Sequence, residues 1–173
     1  MHEALLKRAL ELESSPPQDV VAWAVREYAP RLAFACSFGS VSDMMLFDLI
    51  ARSNRSVAFL YIDTEVLFPE TYDLIARVRE RYGITPQTLK FRQRPPDELW
   101  LTQPDDCCHL RKVAPLKEAL AGYQGWITGL RRDQGGGRRH TPIVGWDDVF
   151  GLVKVNPMAN MTEDEAWAYV REH

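Results

Sequence analysis

Apolar residues recur at helical spacing at Leu5, Leu6, Ala9, Leu10 and Leu12, and again at Val20, Val21, Ala24 and Val25 after the break Ser14-Ser15-Pro16-Pro17. Pro30 stops the second helix. The pattern then changes. Leu32-Ala33-Phe34-Ala35-Cys36 is a short apolar run, followed by Ser37-Phe38-Gly39-Ser40 and an amphipathic stretch from Val41 to Ala51, which predicts strand, turn and helix. The same unit recurs from Ser56 to Ile62, a strand closed by Asp63-Thr64 and followed by a helix from Pro69 to Tyr82, with proline at its first position. Thr85 to Phe91 reads as the next strand.

Further along, the signal is less regular. A short helix is expected near Asp97 to Leu101, another from Arg111 to Ala121, and a short strand at Trp126-Ile127-Thr128 that breaks at Gly129. Gly135-Gly136-Gly137 reads as a flexible loop, Leu152 to Val155 as a last strand, and Thr162-Glu163-Asp164-Glu165 as the capped start of a final helix. Apolar strands alternating with amphipathic helices predict an α/β fold, a parallel sheet covered on both faces, within one domain spanning residues 1–173. Ligands of such sheets bind beyond the carboxyl ends of the strands, which directs attention to the loops at 36–43, 62–69 and 128–139.

Composition narrows the picture. The 173 residues carry 21 Lys and Arg against 24 Asp and Glu, a net charge of -3, so no general attraction to nucleic acid or to anionic membrane is expected. Charge is uneven, however. Between Lys90 and Arg139 ten cations face six acids, and a basic segment on an otherwise acidic chain is a candidate anion site. With three cysteines, two of them adjacent, no signal peptide and no long apolar run, a reducing, cytoplasmic setting is expected.

Four places carry candidate chemistry. Ser37-Phe38-Gly39-Ser40 joins a strand to a helix whose N-terminal N–H groups attract phosphate or sulfate, although a serine-rich turn also serves simply as a cap. Asp63, at a strand end, would either orient a ribose or cap its own turn. Cys107-Cys108, followed by Arg111-Lys112, suits metal or iron-sulfur ligation beside cations, the alternative being two packed apolar thiols. Arg131, Arg132, Arg138 and Arg139 crowd the glycine run, where guanidinium forks match sulfate and phosphate oxygens; a basic loop without a ligand is the alternative. Cys36 ends a buried strand and reads as packing.

Together, Ser37-Phe38-Gly39, Asp63-Thr64 with Leu67-Phe68-Pro69-Glu70-Thr71-Tyr72, Cys107-Cys108-x-x-Arg111-Lys112, Trp126-Ile127-Thr128-Gly129-x-Arg131-Arg132 and Val153-Lys154-Val155-Asn156-Pro157 resemble the assimilatory sulfonucleotide reductases, in consistent order from about residue 30 onward. The resemblance implies an adenine nucleotide alpha hydrolase-like fold. Members that reduce phosphoadenylylsulfate (PAPS) generally lack the cysteine pair, whereas those that reduce adenylylsulfate (APS) use it in binding a [4Fe-4S] cluster, so the chain looks like the APS type. By the match, Ser37, Phe38 and Gly39 would line the phosphosulfate, the backbone at Ile62 and Gly129 would meet the adenine, Asp63 would lie beside the nucleotide, Lys112 would stand between cluster and sulfate, and Arg139, with Arg131 or Arg132, would bind the anion. The implied chemistry is attack of a cysteine thiolate on the sulfate sulfur, expelling AMP, with release of sulfite by a dithiol of the thioredoxin or glutaredoxin kind.

Two departures accompany the resemblance. Glu65 stands where the family has the glycine of Asp-Thr-Gly, adding a side chain and a charge near the nucleotide. The family's later Cys-x-x-Cys and its terminal Glu-Cys-Gly segment have no counterpart up to His173, so the 173 residues alone are expected to hold no stable cluster and to be inactive as a reductase by themselves. The competing expectations are a non-catalytic adenine-nucleotide binding module, a PAPS reductase and, less well matched, an ATP pyrophosphatase. Homo-oligomerisation is left open by the sequence.

Overall fold

The computed structural model describes residues 2–54 and 56–173. Helices α1 (His2–Leu12) and α2 (Pro17–Tyr28) precede strand β1 (Leu32–Ala35), helix α3 (Val41–Ser53), strand β2 (Ala58–Ile62), helix α4 (Pro69–Tyr82) and strand β3 (Gln87–Leu89). A helical stretch follows, made of α5 (Leu99–Thr102), α6 (Pro104–Cys108), a π-helical turn (His109–Val113) and α7 (Ala114–Leu120). Strands β4 (Gly125–Ile127), β5 (Val144–Asp147) and β6 (Leu152–Val155) and helix α8 (Glu163–Glu172) complete the chain. The sheet order is β3-β2-β1-β4-β6-β5. All pairings are parallel except β5 with β6, which form a hairpin.

Alternation along the strands divides the interior in two. Leu32 and Phe34 of β1, Phe59 and Tyr61 of β2, Ile127 of β4 and Val153 and Val155 of β6 face the larger core, under α2, α3, α4 and α8. There Phe47 lies 4.5 Å from Phe59 between ring centroids, and Phe34 lies 6.0 Å from Phe59 edge-on. The other face carries Ala33, Leu60, Trp126 and Leu152, covered by Leu116 and Leu120 of α7. On this second face Ala33, Ala35 and Ala58 are small, which leaves space above β1 and β2.

Several expectations change. β3 is shorter than the 85–91 run because Pro86 cannot donate to a ladder. The cysteine pair lies inside a helical stretch rather than before one. In the π-helical turn the N–H of Ala114 donates to the carbonyl of His109, five residues back. Pro115 explains the widening: it has no N–H for the carbonyl of Arg111, and its ring would collide with that carbonyl in an α-helix. β5, which the sequence pattern does not announce, folds back on β6 through a turn in which the Asp147 carboxylate accepts from the N–H groups of Val149 (3.1 Å) and Phe150 (3.2 Å), and Gly151 takes a φ of 72°. The glycine run is not an unstructured loop either; Gly135 joins two 3-10 turns, Arg132–Gln134 and Gly136–His140, and Gly136 and Gly137 open the second.

Candidate functional site

At the carboxyl ends of β1, β2 and β4, over the alanine-rich face, lies a cavity of about 390 Å³. Leu60, Ile62, Leu89, Leu116, Trp126 and Leu130 give it apolar walls, while Ser37, Thr64, Thr128, Lys112 and Lys154 supply polar groups. Such a lining suits a ligand that combines a flat apolar part with an anionic one. A larger cavity, about 610 Å³, opens at the other end of the sheet among Arg8, Trp23, Tyr28, Tyr123 and Trp146, and is lined by none of the candidate site residues.

The turn after β1 is built around a carboxylate. Asp43, 5% exposed on the first turn of α3, accepts the backbone N–H of Ser37 at 2.9 Å and also the Ser37 hydroxyl. The Ser37 Oγ in turn accepts from Gly39 N at 3.2 Å, and Ser40 caps α3 by accepting from Asp43 N at 3.2 Å. Burial pushes the Asp43 carboxyl above its ordinary range, against the lowering effect of the Ser37 and Ser40 hydrogen bonds. Phe38 takes a φ of 55° and turns its ring into the large core, 5.8 Å from Tyr61 and 6.0 Å from Phe47. Its side chain therefore anchors the turn, and only its backbone is left to face a ligand. A left-handed conformation at a bulky residue costs about 1–3 kcal/mol, which the ring contacts offset.

Burial, with the nearby Asp43 charge, raises the thiol of Cys36 well above its ordinary value. It stays protonated and is a packing group, 2% exposed.

After β2, Asp63 is chiefly a cap: its Oδ1 accepts the Tyr72 hydroxyl at 2.8 Å and the N–H of Glu65 at 2.9 Å. Glu65 stands at φ 60° and pairs with Lys90 at 3.6 Å and Arg94 at 3.8 Å. Arg111, 7% exposed, reaches from the π-helical turn to the carbonyl of Thr64 at 2.9 Å and that of Pro95 at 3.5 Å, with its guanidinium 5.3 Å from the Phe91 ring centre. It ties the cysteine-bearing helix to the strand-end loop, while its neighbour Lys112 lines the cavity.

The arginine cluster divides. Arg131, 3% exposed, gives Nε to Asp133 at 2.9 Å, one Nη to the Ser42 hydroxyl and the other to Glu163 at 3.1 Å. Arg132 holds Glu13, Asn160 and the Thr141 carbonyl. These two are braces between α1, α3, α8 and the loop, so the anion-binding role expected of Arg131 is corrected: its guanidinium nitrogens are already committed inside the protein. Arg139 is exposed on the second 3-10 turn. Gly129 also leaves no room for a side chain, since a Cβ there would stand 2.3 Å from Asp43 Oδ1.

Cys107 is buried and Cys108 exposed. Among the described residues no group of three or more His, Cys, Asp or Glu side chains stands close enough to hold a metal ion. The pair thus offers two of the four thiolates that a [4Fe-4S] centre takes. Sequence reasoning assigned no role to Asp43 or Lys154, and read Arg111 only as a cation beside the cysteine pair, not as the buried tie to Thr64 and Pro95. Lys154 gave the clearest signal, a lysine inside an apolar strand; its Nζ lies 4.9 Å from the Trp126 ring centre and 3.4 Å from Asp147.

Residues 31–173 match the model of the phosphoadenosine phosphosulfate reductase domain. Adenosine 5'-phosphosulfate reductase 2 of Bacillus subtilis is 41% identical over 167 residues, covering 90% of this chain and 69% of that protein. The adenosine 5'-phosphosulfate reductase of Geobacillus kaustophilus is 41% identical over 170 residues, 91% of this chain and 70% of the relative. Among solved structures, the phosphate complex of the PAPS reductase of Candida auris superposes with a TM-score of 0.84 at 26% identity, covering 99% of this chain and 86% of the other.

Proposed function

Because the chain belongs to the phosphoadenosine phosphosulfate reductase domain family, we propose that it is an adenosine 5'-phosphosulfate reductase, in which residues 1–173 form one sulfonucleotide-binding domain. The observation that carries this reading is the cavity at the strand ends, whose lining combines apolar side chains such as Leu60, Ile62 and Leu89 with Ser37, Thr64, Thr128, Lys112 and Lys154. The adenine packs on the apolar side chains. The phosphosulfate takes the Ser37 turn at the head of α3, where helix N–H groups and the Lys112 ammonium offset its charge.

The reaction of this class moves the sulfo group of APS to a cysteine thiolate and expels AMP; a dithiol then attacks that cysteine sulfur, sulfite leaves, and the resulting mixed disulfide is closed by the second thiol, which frees the cysteine and leaves the dithiol as its disulfide. An anionic nucleophile must approach a sulfur already surrounded by anionic oxygens, so fixed cations lower the barrier. Lys112, which lines the cavity, supports this role, and Arg139, exposed beside Arg138 on the second 3-10 turn, would be the further cation. A [4Fe-4S] cluster, held in part by Cys107 and Cys108, would be anionic with its four thiolates, so the neighbouring Arg111 and Lys112 would offset its charge as well as the substrate's, and a thioredoxin-type protein would serve as reductant. Among the described residues no helix is long and apolar enough to cross a membrane.

Titration calorimetry with AMP and with APS tests the reading. Both are expected to bind, competitively, and Lys112→Ala is expected to weaken APS by about tenfold and AMP by less, because only APS carries the charge of the sulfo group. Absence of heat with both nucleotides would overturn it.

A further inference from the structure

The loop after β4, helix α3 and helix α8 meet at Arg131, and its buried guanidinium touches all three. Nε donates to Asp133 at 2.9 Å, one Nη to the hydroxyl of Ser42, itself fully buried on the first turn of α3, and the other to Glu163 at 3.1 Å, the first residue of α8. Asp133 closes the ring by accepting the N–H of Glu163 at 2.8 Å. A guanidinium is a planar fork with fixed donor directions, so the acceptors seated on it hold one another in register. One of those acceptors, Ser42, is the chain neighbour of Asp43, whose carboxylate accepts the N–H of Ser37 at 2.9 Å. Ser37 and Leu130, the residue before Arg131, both line the strand-end cavity.

We propose that Arg131 is a positioning residue that sets the first turn of α3 through Ser42 and ties that turn to the start of α8; the proposal rests on the sulfonucleotide reading above, which puts the anion at this turn. The first N–H groups of a helix have no partner within it, and their attraction for an anion depends on where they point. At α3 that aim is fixed from two sides, by Asp43 on Ser37 and by Arg131 on Ser42. The guanidinium does not supply the attraction itself. Two carboxylates, Asp133 and Glu163, face its single charge, so its field adds nothing for a ligand anion to feel. What it transmits is geometry. Glu163 gives outside access to this geometry, since its side chain is 63% exposed and is not part of the cavity lining. Loss of its carboxylate releases one Nη and lets the fork turn away from Ser42, which loosens the turn that Asp43 then holds alone.

The test is calorimetry with AMP and with adenosine on the full chain and on Glu163→Ala and Glu163→Gln, with urea midpoints measured beside it. Adenosine lacks the phosphate and so makes no use of the α3 turn. Glu163→Ala is expected to weaken AMP by about fivefold and to change adenosine by less than about twofold. Glu163→Gln, whose amide oxygen still accepts from the Nη group, is expected to keep the AMP affinity of the parent. In a Ser42→Ala background Glu163→Ala is expected to have no further effect on AMP, because the link it acts through is already cut. Tighter AMP binding in both Glu163 variants would assign the effect to charge and overturn the positioning role. So would a parallel loss of AMP and adenosine, or a lower urea midpoint with AMP affinity unchanged, either of which would make Arg131 a brace of the fold alone. These outcomes leave the site reading intact, since the parent still binds AMP. Failure of the unsubstituted chain to bind AMP would overturn the site reading and this inference with it.

Discussion

Gly129→Ala is the most informative single substitution. Gly129 is outside the left-handed region, so the demand there is for space: an added Cβ would lie 2.3 Å from Asp43 Oδ1, 3.3 Å from Ser42 Cβ and 3.4 Å from Asp43 Cγ. The carboxylate must retreat by roughly 1 Å to reach ordinary contact. That movement draws it away from the N–H and the hydroxyl of Ser37, the two bonds that fix the turn at the head of α3. Hydrogen bonds to a charged group are worth about 1.5–3 kcal/mol each, so with partial relaxation the loss is about 3 kcal/mol. With a urea m-value of about 2 kcal/mol/M, the unfolding midpoint falls by about 1.5 M. AMP affinity should fall as well, since in the variant the Ser37 turn, where the proposed site takes the phosphate, is disturbed. The decisive measurement is a double-mutant cycle with Asp43→Ala: in that background the alanine at 129 has nothing to displace and should cost little, giving a coupling above about 1 kcal/mol. If Gly129→Ala unfolds within about 0.5 kcal/mol of the parent and binds AMP unchanged, the account of this turn is wrong.

Three further outcomes are expected. Asp48, 4% exposed, accepts the hydroxyls of Tyr82 at 2.8 Å and Tyr169 at 2.7 Å and pairs with Arg52 at 2.8 Å; burial raises its pKa, and these partners more than reverse the effect. A carboxyl with a depressed folded pKa adds stability that is full at neutral pH and is lost as pH falls below about 4, so Asp48→Asn should lower stability at pH 7 by about 2 kcal/mol and flatten the acid limb of a urea-midpoint profile. Tyr82, pushed up to about 12 by burial and by Asp48, should resist ionisation in an alkaline absorbance titration until near that pH or until unfolding. Of the three thiols, only Cys108 is exposed, so an aromatic disulfide reagent should find one fast thiol per chain in the native state and the other two only in denaturant; three fast thiols would contradict the packing of Cys36 and Cys107.

The strand-and-helix order was legible because period-2 and period-3.6 runs are long and proline marks helix starts; α4 begins at Pro69 and ends at Tyr82 as the pattern predicts. The loops at the strand ends were legible for the same reason, and Ser37, Ile62 and Lys112 do line one cavity. What escaped depended on partners distant in sequence. Arg131 looked like an anion ligand because nothing nearby announces Glu163 or Ser42 as its partners, 32 and 89 positions away. The inward turn of Phe38 has no local signal, since the space it fills is made by Phe47 and Tyr61. β5 pairs on one side only and includes Gly145, so its four residues fall below what alternation can reveal.

The π-helical turn has a consequence for how this chain tolerates changes of length. Each residue advances an α-helix by about 100°, so a one-residue insertion acts as a rotation of everything on one side of it relative to the other. The widened turn at His109–Val113 holds such an offset between Cys107 and Cys108 before it and the face of α7 that packs through Leu116 and Leu120 after it. Deleting one residue here would leave the composition almost intact and swing the cysteine pair away around the helix axis, out of phase with Lys112 and the cavity. The angular setting of the doublet is stored in this single turn, and Pro115 keeps the turn from relaxing to a regular helix.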